Sequence, residues 1–85
     1  MSPEQSEVSA ARLEEAAQLC EAAVAELERA AGHAGVAAEH FRNREIPRAT
    51  AHAWAAFGHV LEAQERLESQ AKMHAQRARL AGVAV

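Results

Sequence analysis

Apolar and small residues recur through the first half of the chain in alternating steps of four and three: Ala10, Leu13, Ala17, Cys20, Val24, Leu27, Ala31, Ala34, Ala38 and Phe41. A repeat of this length predicts a helix packed lengthwise on another helix. Ser2-Pro3-Glu4-Gln5 supplies a start signal, with Ser2 as the cap, Pro3 at the first helical position and Gln5 closing a capping box. Gly32 and Gly35 weaken the middle by roughly 1 kcal/mol each relative to Ala. The repeat keeps its phase across them, so one helix over about 3–42 is expected.

The break comes at Asn43-Arg44-Glu45-Ile46. Asn43 suits a left-handed helix cap, and Pro47 disfavours helix at Ile46 while fitting the start of the next helix. A turn of about 43–46 is short enough to force antiparallel neighbours. The repeat then resumes over about 47–81: Thr50, Ala53, Phe57, Val60, Gln64, Leu67, Ala71, His74, Ala78 and Ala81. Folding the chain at the turn sets Ala38 beside Ala53, Ala34 beside Phe57, Ala31 beside Val60, Val24 beside Leu67 and Leu13 beside Ala78. Large side chains mostly meet small ones, as interdigitating helices require. Trp54 falls beside Gly35, with room for its ring. The expected fold is all-α, a long antiparallel two-helix hairpin of coiled-coil type forming a single domain over 1–85.

A second face accompanies the first. Ala23, Ala30 and Ala37 line it on one helix and Ala49, Ala56 and Ala63 on the other. Leu19, Glu26, His33 and His40 lie outside them, level with Met73, Arg66, His59 and His52. One seam buries too little apolar surface for a chain of 85 residues. The smooth Ala/His flank is therefore expected to receive a second hairpin, giving a homodimeric four-helix bundle.

Composition narrows the class. Twenty-three Ala with abundant Glu, Leu, Arg and Gln favour helix, and the single Ile and Thr and absent Tyr disfavour sheet. Eight Arg against one Lys suggest a GC-rich, bacterial genome. A net charge of −3 argues against nucleic acid or an anionic membrane as partner. No apolar run spans a bilayer, no secretion signal is evident, and one cysteine fits a reducing compartment, so a cytoplasmic location is expected. The first thirty residues hold seven Glu against two Arg, whereas the last fifteen hold Lys72, Arg77 and Arg79 and no acid. Antiparallel folding lays these ends together and brings Glu26 near Arg66.

The chemistry-bearing residues are few. His33 and His40, like His52 and His59, are seven apart, about 10.5 Å along a helix and too far to share one ion. A zinc-like transition metal would need His33, His40, His52 and His59 to converge across a dimer, with Glu62 beside His59 adding a chelating spacing. The other readings of the histidines are a pH-sensitive interface and polar packing at the edge of an alanine surface. Cys20 reads as a small buried hydrophobe. Arg42, Arg44 and Arg48 make a basic tip. No nucleophile has a base at a usable spacing and no glycine loop follows a strand, so no enzyme and no cofactor are expected. In size, topology and a Trp near the turn, the chain is similar to the secreted WXG-type helical hairpins. Their Trp-x-Gly turn is absent, since Ala-Ala-Phe-Gly follows Trp54, and the resemblance implies architecture alone. The expected role is an interaction module (a regulator, adaptor or small subunit) that binds itself and another protein through Trp54, Leu61, Ala37, Ala56, Arg44 and Arg48. An accessory subunit of an enzyme complex is the weaker expectation.

Overall fold

The computed structural model describes the backbone of residues 3–80 and the side chains of residues 10–73 and 75. Two helices, α1 (Pro3–Arg42) and α2 (Ile46–Leu80), pack along each other as an antiparallel hairpin about 62 Å long. No strand occurs among the described residues. α1 is unbroken through Gly32 and Gly35. The cap expected of Ser2 and Gln5, the seam positions His74, Ala78 and Ala81, the side chains of Arg77 and Arg79, and the chain after Gly82 lie outside the described residues.

The turn is tighter than the sequence suggests, because Ile46 already belongs to α2. The Arg44 amide donates to the Phe41 carbonyl at 3.1 Å and the Glu45 amide to the His40 carbonyl at 2.8 Å. These are the paired bonds of a Schellman motif, which needs a left-handed residue just past the helix end. That residue is Arg44, with φ 60°, and not Asn43. The Glu45 carbonyl then accepts from the Ala49 amide at 3.0 Å and opens α2.

Which face lies between the helices is the main correction. The buried residues are Ala23, Ala30, Ala37, Ala49 and Ala63, all between 0 and 6% exposed. The alanine row occupies the intrachain seam, and the heptad of larger residues points away from it. Leu13, Val24, Leu27, Phe41, Phe57, Val60 and Leu67 are all more than 40% exposed, and Cys20 is exposed rather than buried. The physical reason is size. Alanine at every seventh position lets two helices approach closely, whereas rows of Leu and Phe hold them apart. Ala37 and Ala56, expected on a partner-binding surface, belong to this interior seam, Ala37 buried and Ala56 half-buried. Gly35 has open space around it, and Trp54 rests edge-on against Phe57, ring centroids 6.0 Å apart, rather than over the glycine.

Candidate functional site

Between the alanines, the heptad brings His33 and His40 of α1 against His52 and His59 of α2. They form a ladder, since each ring of one helix sits level with the gap between two rings of the other. His59 stacks on His33 at 5.4 Å between centroids, His33 meets His52 at 5.3 Å, and His52 stacks on His40 at 5.5 Å. Both ends are closed by carboxylates. His59 Nδ1 donates to Glu26 Oε2 at 2.7 Å, and His40 Nδ1 lies 3.5 Å from Glu45 Oε1. The second contact is longer than an N–H···O hydrogen bond, which leaves buried His40 Nδ1 without a bonded partner among the described residues. The sequence placed His33 level with His59 and His40 with His52; the rings instead interleave by half a step, His33 between His52 and His59 and His52 between His33 and His40, and they lie half-buried between the helices rather than on an outer flank.

The central rung constrains protonation. His33 Nδ1 and His52 Nδ1 are 3.1 Å apart, so one must carry the hydrogen and the other present a lone pair. Two protonated Nδ1 atoms cannot make this contact. At the lower end, Glu26 also accepts from Arg29 Nη1 at 2.6 Å. The His59 hydrogen bond holds the Glu26 carboxyl below its ordinary value, opposed by partial burial and helped by the charges of Arg29, His59 and Arg66. Arg66 makes its own ion pair with Glu62 at 4.0 Å.

The ladder runs in series and its nitrogens do not converge. Among the described residues, no three of His, Cys, Asp and Glu are grouped so as to hold a metal ion. Glu62 lies on the exposed side with Arg66, apart from the rings. At the turn, Arg48 Nη1 donates to Glu45 Oε2 at 3.0 Å, while Arg44 is the exposed left-handed residue of the cap.

The second candidate site is the outward face. The heptad positions of both helices advance from the alanine seam by about one quarter turn in the same sense, which for antiparallel helices puts both large-residue rows on one side of the hairpin. A hollow near the turn shows this directly: Phe41 from α1 and Thr50, Ala53, Trp54 and Phe57 from α2 line one space of about 330 Å³. The opposite side carries Gln18, Glu39, Arg48, Glu62, Glu65 and Lys72. Trp54 is 68% exposed at the outer edge of the apolar side, with Leu61 next along the same edge. At the 150–250 Å² typical of large side chains, the exposed fractions on this side amount to roughly 1,000 Å², well above the 300–600 Å² of the largest patch on an ordinary monomer. The sequence placed Leu13, Val24, Leu27, Phe41, Phe57, Val60 and Leu67 in the intrachain seam, where they are instead exposed, and set Trp54 and Leu61 on a partner-facing surface.

No helix among the described residues is long and apolar enough to cross a membrane. Comparison with known protein families, curated proteins and solved structures found no match to this chain.

Proposed function

We propose that this chain is a non-enzymatic helical interaction module that works as a homodimer, its two hairpins joined into a four-helix bundle. The observation that carries this reading is the inverted burial: the hairpin interior holds alanine and histidine, while Leu13, Val24, Leu27, Phe41, Trp54, Phe57, Val60, Leu61 and Leu67 stay 42–68% exposed. A stable interface buries about 800 Å² per partner, and the apolar side supplies that area. The Ala/His row is already used within the hairpin, so the dimer surface is the opposite choice from the one the sequence suggests. A second copy is the favoured occupant because the repeat on this face matches itself in length and phase.

The test is mass in solution. Sedimentation equilibrium at micromolar concentration should return twice the 9.1 kDa chain mass. Leu27→Glu removes a burial worth about 1.5–3 kcal/mol from each copy and should raise the dimer Kd at least about 100-fold. A wild-type chain that stays monomeric at these concentrations overturns the reading.

A further inference from the structure

The geometry points to one arrangement of the two copies: antiparallel, with a two-fold axis beside Leu27, so that Leu13 and Leu67 of each chain pack over Phe41 and Phe57 at the hollow near the turn of the other. This inference rests on the homodimer reading and goes further by fixing orientation and register.

Face-to-face packing of two such hairpins allows two symmetric solutions. In the tip-to-tip solution, α1 of one copy covers α2 of the other. In the antiparallel solution, α1 covers α1 and α2 covers α2, and each tip lies over the partner's open end. Charge separates them. At the outer edge of the apolar side the tip carries Arg42, whereas the same edge of α1 toward the open end carries Glu14, Glu21 and Glu28 in successive heptads. Tip-to-tip packing juxtaposes the basic ends. The antiparallel solution lays basic on acidic, and in the register below it sets Arg42 against the partner's Glu14 at flanking positions, where charge selects orientation.

Volume agrees. The tip is aromatic and hollow, with Phe41, Trp54 and Phe57 around the 330 Å³ space. The open end is mostly small, with Ala17, Cys20 and Ala71 between Leu13 and Leu67. Pairing Leu27 with its own copy sets Ala34 over Cys20, Ala31 over Val24 and Phe41 over Leu13. On α2, pairing Val60 with Gln64 sets Phe57 over Leu67 and Ala53 over Ala71. The two registers are independent on paper, yet they demand the same axis. Its α1 position, at Leu27, lies level with its α2 position near residue 62, because Glu26 of α1 bonds His59 and His33 lies level between His52 and His59. A single rotation therefore satisfies both helices. One pairing opposes it: Glu28 meets its own copy at the edge of the axis.

Distance between tips decides the matter. With Cys20→Ala removing the native thiol and Arg44→Cys carrying a spin label, the tips lie about 17 residues beyond the axis on each copy. The 1.5 Å rise then gives a label separation of about 50 Å. A dimer with labels within about 25 Å is tip-to-tip and overturns the inference while leaving the homodimer reading standing. A monomer overturns both. Register is read separately: Leu27→Cys with Cys20→Ala should cross-link to a covalent dimer on mild oxidation. A long label distance without cross-linking means another register and likewise refutes the pairing. Glu28→Gln should tighten the dimer several-fold, an effect the tip-to-tip arrangement does not produce.

Discussion

Enlarging one alanine tests the inverted burial. Ala37 is 4% exposed in the intrachain seam, in the same heptad row as the fully buried Ala49 across it. Ala37→Leu inserts three more carbons where the two helices are in contact, and such overpacking costs about 1–3 kcal/mol. Ala51→Leu is the control, because Ala51 is exposed on the polar side and the same change there should stay within about 0.5 kcal/mol. Helix propensity changes equally little in both. For a domain of this size each kcal/mol moves the midpoint by about 4–8 °C, so Ala37→Leu should melt at least about 2 °C below Ala51→Leu. Circular dichroism at one fixed protein concentration reads the difference, since the proposed dimerisation would make the midpoint concentration-dependent. Equal midpoints, or a stabilised Ala37→Leu, would mean that the alanine row is not the seam.

The dimer predictions, loss of association in Leu27→Glu and a tip-to-tip distance of about 50 Å, rest on the outward face alone. Arg44→Gly should stabilise the hairpin by about 0.5–1 kcal/mol, because a side chain at φ 60° is strained where glycine is not; an unchanged urea midpoint would show that the left-handed cap carries no strain. Glu26 has a depressed carboxyl value. Its contribution is therefore complete above the ordinary carboxylate value of about 4.3 and disappears as pH falls through the lowered one. Glu26→Gln should accordingly flatten the loss of stability on acidification below about pH 4.5, measured as urea midpoints across pH; parallel curves for variant and wild type would remove Glu26 from the acid response.

Helix, turn and hairpin were legible because each rests on local chemistry: a sustained 3.5-residue repeat, Pro47 and the short turn. That the four histidines face one another across the two helices was legible too, since chain reversal at the turn brings them together, but their half-step stagger was not. The face was not. A two-helix layer can turn its strongest repeat toward its own partner helix or outward, and hydrophobic strength does not label which. The strongest repeat, Leu13 to Phe41, points outward because close approach within the hairpin selects alanine. Strict alanine at Ala16, Ala23, Ala30 and Ala37, matched by Ala49, Ala56 and Ala63, is the signal that marks the close seam. The ladder escaped for a related reason: seven-residue spacing within one helix rules out a shared ion, but says nothing of rings alternating between two helices. The cap moved from Asn43 to Arg44 because residue preference places a left-handed turn only to within one position.

The Schellman turn has a consequence for the order in which the chain assembles. His40 and His52 are twelve residues apart in sequence, whereas Glu26 and His59 are thirty-three apart. Each contact farther from the turn encloses a longer loop, and its closure entropy grows with loop length. The hairpin is thus built to close first at Arg44 and zip toward the open end, each formed rung shortening the loop that the next must close. A change that relaxes the cap then acts on the folding rate more than on the unfolding rate.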